Sequence, residues 1–327
     1  MSEHLDNLVV FSGSSHPKLS LAVAQELGAV LGEVSLEKFP DGEKQVQILE
    51  SVRGKDVYII QSVALRPDEY LMELLIMIDA LRRASAKSIN AVLPYYGYCR
   101  QDRKDRPRVP ITAKLVADLI EKAGATRVLT MDLHAGQIQG FFNVPVDNIT
   151  ARHVLIDELK KIDLDPLVVV SPDIGSNKLA RSYASQLGGD FAVIDKHRCN
   201  STHVEVTNLI GDVNGKNVLL ADDMGSTGST LLSAAKACQE KGARRILAVV
   251  THGLFIADAP NQLQQSSIEA VFVSDTIPRN ERLDGFAKLR YISVAPVLAN
   301  AISCIQSAES FSPLFYDSED IPLVEKR

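Results

Sequence analysis

Short apolar runs punctuate this chain, and most are followed by stretches in which apolar residues recur every three or four positions. The runs Leu8 to Ser12, Val57 to Gln61, Ile89 to Leu93, Val128 to Met131, Leu167 to Val170, Phe191 to Ile194, Val218 to Ala221, Ile246 to Val250 and Ala270 to Val273 are rich in Val, Ile and Leu. They are too short for helices and continuous rather than alternating, which marks strands covered on both faces. The pattern predicts parallel sheets flanked by helices, an α/β fold.

A second regularity lies over the first. Gly54-Lys-Asp-Val-Tyr-Ile-Ile-Gln-Ser62 aligns with Gly215-Lys-Asn-Val-Leu-Leu-Ala-Asp-Asp223, and Ala86-Lys-Ser-Ile89 with Ala243-Arg-Arg-Ile246, at an interval of about half the chain. Words this brief also recur by chance between strands. Taken in order, they predict two Rossmann-like domains related by internal duplication and joined near Asn148 to Arg152. The expected boundaries are 1–149, 150–305, and a tail over 306–327 packing on the N-terminal domain. In the first copy Gln61 and Ser62 take the places of Asp222 and Asp223, and the following loop is Val63-Ala-Leu-Arg-Pro67.

The segment Val218 to Thr230 is the richest in chemistry. An apolar strand runs into Asp222 and Asp223, then a Gly/Ser/Thr loop, then a helix whose apolar face holds Leu231, Ala234, Ala235 and Cys238. Ser229 or Thr230 is expected to cap that helix. Loop amides, hydroxyls and the helix dipole favour a phosphate, whereas two carboxylates repel one and suit hydroxyls or a divalent cation. A ligand satisfying both halves is a sugar phosphate. Turn chemistry alone also yields Gly, Ser and Asp at such junctions, but it does not call for the acid pair. No Lys lies between Asp222 and Thr230, which excludes a Walker loop.

Ligands of open parallel sheets collect at the carboxyl ends of strands. Asp132 and His134 follow one run, Asp173 another, and Lys196, His197 and Arg198 a third. His134 and Asp173 could serve magnesium, and Lys196 and Arg198, projecting to one side of extended backbone, could grip a polyphosphate. Each alone reads equally as a turn former or a solvated basic loop. The segment Pro94 to Pro110 carries three tyrosines and then five Arg or Lys from Arg100 to Arg108, a composition suited to stacking a base and holding its phosphates, or to a mobile surface loop.

Bulk composition narrows the classes. With 327 residues, 46% hydrophobic, 23% charged and no Trp, the chain reads as an ordinary two-domain globular protein. A net charge of −6 argues against general nucleic-acid or membrane-surface binding, so the basic segment suits a single nucleotide. The start Met-Ser-Glu-His-Leu-Asp-Asn lacks a signal pattern and no apolar run is long enough to span a bilayer, so the cytoplasm is expected. Cys99, Cys199, Cys238 and Cys304 are widely spaced, which suits reduced structural thiols and offers no zinc site.

With these residues assembled, the chain resembles the ribose-phosphate pyrophosphokinase (phosphoribosyl pyrophosphate synthetase) family from Leu8 to Phe315. The most specific words are Phe39-Pro-Asp-Gly-Glu43, Pro94-Tyr-Tyr-Gly-Tyr-Cys-Arg-Gln-Asp-Arg-Lys-Asp105, Asp132-Leu-His-Ala-Gly-Gln-Ile-Gln-Gly-Phe-Phe142, and the Asp222-Asp223 motif. The resemblance implies two phosphoribosyltransferase-type α/β domains and transfer of the β,γ-pyrophosphoryl group of Mg-ATP to the anomeric hydroxyl of ribose 5-phosphate. It implies that Asp222, Asp223, Ser226, Thr227, Gly228, Ser229 and Thr230 bind ribose 5-phosphate, and that Phe39, Asp41, Glu43, Arg100, Gln101 and His134 bind ATP. It further implies that His134 and Asp173 ligate Mg²⁺ and that Lys196 and Arg198 are catalytic. Ser51, Arg53, Arg108 and Gln139 resemble a regulatory site for inhibitory ADP and activating inorganic phosphate, in a homo-oligomer built as a hexamer. No general base is indicated.

Several positions depart from the family pattern. Ser226 replaces a third acid, and Ser229 a glycine whose backbone conformation Ser229 must adopt unless the loop differs. His197 stands in a usual Lys-Arg-Arg, and Asp173-Ile-Gly-Ser-Asn in a usual Asp-x-Gly-Gly. A catalytically inactive regulatory subunit and a phosphoribosyltransferase remain as alternatives. The first should lack Lys196 and Arg198, and the second leaves the Phe39 and Arg100 segments without purpose.

Overall fold

The computed structural model describes residues 7–198 and 205–310; the side chains of 196–198 and 205–207 lie outside the description. The described chain divides into two compact units. The first holds the chain up to Thr150, with Thr276–Pro278 and the part from Val294 onward; the second holds Ala151–Asp275 and Arg279–Ser293.

The first unit runs β1 Leu8–Ser12, α1 Pro17–Glu26, β2 Val34–Lys38, β3 Lys44–Ile48, β4 Asp56–Ile60, α2 Pro67–Arg83, β5 Ser88–Leu93, α3 Thr112–Ala123, β6 Arg127–Met131, a 3₁₀ turn Gly136–Phe141 and β7 Val146–Ile149. Strands β1, β4, β5, β6 and β7 form one parallel sheet in that spatial order. Every residue of β4 is buried, as its unbroken apolar run requires. Helix α2 begins at Pro67, places Asp68 and Glu69 in its first turn and Arg82 and Arg83 in its last, and so complements the helix dipole at both ends. It buries Leu71, Leu74, Met77, Ile78 and Leu81 along one face.

The second unit begins with α4 Arg152–Leu159, then β8 Leu167–Ser171, α5 Asn177–Leu187, β9 Asp190–Arg198, β10 Glu205–Ile210, β11 Asn217–Gly225, α6 Ser229–Glu240, β12 Arg245–Gly253, α7 Ala259–Gln265, β13 Ala270–Ser274, a 3₁₀ turn Glu281–Leu283 and β14 Leu289–Ile292. Its sheet order is β10-β9-β8-β11-β12-β13-β14, parallel except for the β9–β10 pair. Remove β9 and β10, and the order β8-β11-β12-β13-β14 repeats β1-β4-β5-β6-β7. Registers agree as well: Asp56 pairs with Leu8 and Ser88, and Asn217 with Leu167 and Arg245. The duplication read from short words is therefore a duplication of topology, and the two copies differ chiefly in their hairpins. In the first, β2–β3 forms a separate ribbon; in the second, β9 joins the sheet.

Helix α8 Ala295–Ser307 follows β14 but packs on α1, and so belongs to the first unit. The expected domain end at residue 305 thus falls inside a helix, one that buries Val297, Leu298, Ala301 and Ile302. Of the expected tail, residues 311–327 lie outside the described residues. Strands β2, β3, β7, β10 and β14 fall outside the predicted runs. The hairpin sequences Val-Ser-Leu-Glu-Lys and Lys-Gln-Val-Gln-Ile are half exposed, and β7 and β14 are short edge strands, so these four needed no continuous apolarity. Cys99 and Cys238 are buried free thiols and Cys304 is a partly exposed one; Cys199 lies outside the described residues. Among the described residues no helix is long and apolar enough to cross a membrane.

Candidate active site

In the second unit, β11 does not stop at Ala221. Its ladder with β12 continues through Asp222–Val250, Met224–His252 and Gly225–Gly253, because backbone pairing does not depend on apolar side chains. Both carboxylates therefore sit on a strand rather than a loop, which fixes their direction. Asp222 is buried. Its Oδ1 accepts from the Ser176 hydroxyl at 2.5 Å and from the Asp223 amide at 3.0 Å. The Ser176 amide also donates to Asp173 Oδ1 at 3.0 Å, while the Ser171 hydroxyl donates to the Asp173 carbonyl at 2.6 Å. One serine thus ties together two carboxylates from different strand ends. Burial, with the Asp223 and Asp173 charges adding to it, pushes Asp222 up to about 7 against the opposing hydrogen bond from Ser176.

Ser176 was not among the expected site residues. The signal for it lay in the departure Asp173-Ile-Gly-Ser, where a hydroxyl replaces the family's second glycine.

The loop after the acids is held from behind. Phe255 and Ile256 donate their amides to the carbonyls of Gly225 and Ser226, each at 3.0 Å. The Phe255 ring lies where a Cβ on Gly225 or Gly253 would come within 2.7 or 2.5 Å, so both strands must end in glycine. Gly228, not Ser229 or Thr230, caps α6; it takes φ 76° and makes no side-chain cap bond. The left-handed conformation asked of Ser229 has moved one residue earlier, and Ser229 simply opens the helix. Among the described residues the amides of Ser229, Thr230 and Leu231 donate to no protein acceptor. With the mutually bonded hydroxyls of Thr227 and Ser229, 3.1 Å apart, they form an anion cradle at the helix N-terminus. Ser226 is half-buried beside it.

Lys196 and Arg198 fall on β9, paired with Thr207 and Glu205 of β10, rather than on a loop. Their side chains, with that of His197, lie outside the described residues.

In the first unit, Phe39, Asp41 and Glu43 occupy the exposed tip of the β2–β3 hairpin. The Phe39 amide donates to Glu43 O at 2.9 Å, the Glu43 amide to Asp41 Oδ1 at 3.1 Å, and Gly42 takes the required φ of 97°. Arg100, Gln101, Arg103, Asp105, Arg106 and His134 line a cleft of about 370 Å³ in the same unit. Gln101 is partly occupied, since its Oε1 accepts from the Thr112 hydroxyl at 2.5 Å at the start of α3. The stacking role offered to the tyrosines fails for two of them. Tyr95 and Tyr96 are buried; the Tyr96 hydroxyl donates to Ala113 O at 2.8 Å and its ring meets Phe142 edge to face. Tyr98 is turned to Asp68.

His134 belongs to the first unit and Asp173 to the second. Ser51, Arg53, Arg108 and Gln139 are all exposed on three separate segments of the first unit, and Gln139 folds its amide back onto Gly136 O at 3.0 Å.

Comparison with known proteins follows the same two halves. The N-terminal domain of ribose phosphate pyrophosphokinase matches residues 8–124, and the phosphoribosyl synthetase-associated domain matches residues 198–316. The ribose-phosphate pyrophosphokinase of Wolinella succinogenes is 48% identical over 306 residues, covering 94% of this chain and 98% of its own. That of Clostridium perfringens is 48% identical over 320 residues, covering 97% and 100%. The crystal structure of phosphoribosylpyrophosphate synthetase from Mycobacterium smegmatis superposes with a TM-score of 0.87 at 42% identity, over 92% of this chain and 99% of that one. Likeness of this extent, in sequence and in topology, shows that the chain belongs to the ribose-phosphate pyrophosphokinase family.

Proposed function

We propose that the residues assembled above divide between them the ribose-phosphate pyrophosphokinase reaction, in which the β,γ-pyrophosphoryl group of ATP passes to the 1-hydroxyl of ribose 5-phosphate and AMP leaves. The observation that carries this reading is the acid pair Asp222-Asp223 followed directly by the amide-rich cradle at the start of α6. The cradle, with Ser226, Thr227, Gly228, Ser229 and Thr230, takes the 5-phosphate through backbone amides and hydroxyls. Asp222 and Asp223 accept from the ribose hydroxyls, directly or through a cation. Phe39 stacks on adenine, Asp41 and Glu43 accept from its amino edge, and Arg100, Gln101 and His134 address the phosphates.

Magnesium fits these residues. Asp173 and Asp223 crowd Asp222 with like charge, and a hard divalent cation relieves such crowding. Among the described residues no closed cage of three His, Cys, Asp or Glu ligands is present, and magnesium, which keeps waters and substrate oxygens, needs none. Asp173 would be a ligand for it in the second unit and His134 one in the first, and it would supply charge neutralisation on the pyrophosphoryl oxygens. Lys196 and Arg198 steady the same developing charge. Family membership also supports a cytoplasmic homo-oligomer, built as a hexamer, with phosphate activating and ADP inhibiting through Ser51, Arg53, Arg108 and Gln139.

Phosphorus NMR of protein, ATP, ribose 5-phosphate and Mg²⁺ tests the reaction. AMP and phosphoribosyl pyrophosphate should appear together, only with ribose 5-phosphate and Mg²⁺ present. ADP in place of AMP, or no turnover with or without inorganic phosphate, excludes it.

A further inference from the structure

The β2–β3 hairpin carries Phe39, Asp41 and Glu43, yet among the described residues its strands pair only with each other. A two-stranded ribbon is marginal in water, so its position must be set from outside. The register places Lys38 directly opposite Lys44, one on each side of the tip. Two ammonium groups so placed repel and would spread the loop's base. Glu69 of α2 prevents this. Its Oε1 accepts from Lys38 Nζ at 2.6 Å and from Lys44 Nζ at 3.0 Å.

Lys44 reaches a second carboxylate on the same helix, Glu73 Oε2, at 2.5 Å. Glu73 is fully buried and fully engaged: Ser14 donates its amide at 2.7 Å and its hydroxyl at 2.8 Å, and Gln61 Nε2 donates at 2.9 Å. Gln61 also accepts from the Ser15 amide at 3.1 Å and donates to Tyr70 O at 3.1 Å. The hairpin is thereby pinned to α2, and α2 to the ends of β1 and β4. Gln61 occupies in the first copy the position that Asp222 occupies in the second. Where one copy presents a carboxylate to a ligand, the other presents an amide to Glu73.

We propose that Glu69 and Glu73 are positioning residues for the nucleotide, holding the Phe39–Glu43 loop at one height and angle through Lys38 and Lys44. The inference rests on the assignment of that loop to ATP. Loss of the Glu69 charge leaves two facing lysines unbridged, which displaces the tip without touching the ribose 5-phosphate residues.

Steady-state kinetics tests this. Glu69 is partly exposed, so Glu69→Gln should stay folded, which its thermal unfolding midpoint checks; buried Glu73 is the less safe choice. The expected result is a KM for ATP raised about tenfold, with kcat and the KM for ribose 5-phosphate within about twofold of wild type. The double variant Lys38→Met/Glu69→Gln removes one repelling charge as well, and its KM for ATP should return to within about threefold of wild type. A merely structural role would give additive losses instead of rescue. An unchanged KM for ATP in Glu69→Gln, both KM values and kcat moving together, or no rescue overturns the proposal. Phe39→Ala separates the two claims. If it raises the KM for ATP while Glu69→Gln does not, only the positioning role fails; if it too leaves that KM unchanged, both fail.

Discussion

Replacing Asp222 by Asn should stabilise the ligand-free protein, and increasingly so as pH rises. Asp222 stands near 7 in the folded state against an ordinary 3.8, because burial and two neighbouring carboxylates disfavour its charge. A group raised on folding contributes stability at low pH, where both states are protonated, and that contribution is lost as pH climbs through the unfolded and then the folded value. The loss begins near pH 4 and levels off above pH 7. At about 1.4 kcal/mol per unit, a rise of about 3 units amounts to about 4 kcal/mol in full, of which about 2–3 kcal/mol falls between pH 5 and pH 8. The carboxamide in Asp222→Asn would keep the acceptor used by Ser176 and by the Asp223 amide while removing the charge. The assay is urea unfolding of wild type and Asp222→Asn at pH 5 and pH 8, without divalent cation or substrate, read as the difference between the two proteins so that other titrating groups cancel. The variant's advantage should grow over that interval. A difference independent of pH, or a wild type that is the more stable at pH 8, would refute the reasoning. The same substitution should weaken ribose 5-phosphate use, since the destabilising charge is the one assigned to the sugar hydroxyls.

Gly228→Ala should destabilise the protein by about 1–2 kcal/mol in urea unfolding, because the cap of α6 is left-handed and a Cβ is strained there; its KM for ribose 5-phosphate should rise more than its KM for ATP, and wild-type stability would contradict the cap assignment. Lys196→Ala should lower kcat by on the order of a hundredfold or more while ribose 5-phosphate binding, measured by calorimetry, persists. Wild-type turnover in that variant would remove Lys196 from the catalytic group.

The central strands were legible because burial on both faces leaves a mark in one dimension: β4, β5, β8 and β11 read as apolar runs wherever the surrounding helices sit. Duplication was legible for the same reason, since β4 with β11 and β5 with β12 retain matching runs at matching intervals. Polar and edge elements left no such mark. The β2–β3 ribbon is half exposed, and what holds it is a set of ion pairs between residues about 30 positions apart in sequence, Lys38 and Lys44 with Glu69 and Glu73. The tyrosines of the basic segment looked available from composition, but Tyr95 and Tyr96 are consumed by packing.

By itself, then, the sequence determined the fold class, the two-copy plan and the chemical types at the site, because each depends on local periodicity or on residue identity at a strand end. Only the tertiary structure decided that Gly228 rather than Ser229 carries the left-handed cap, that Ser176 joins Asp173 to Asp222, that α8 returns to the first unit, and that Gln61 bonds Glu73 where Asp222 bonds Ser176. Each of these turns on which distant groups meet, and a buried polar atom takes its role from the partner that satisfies it.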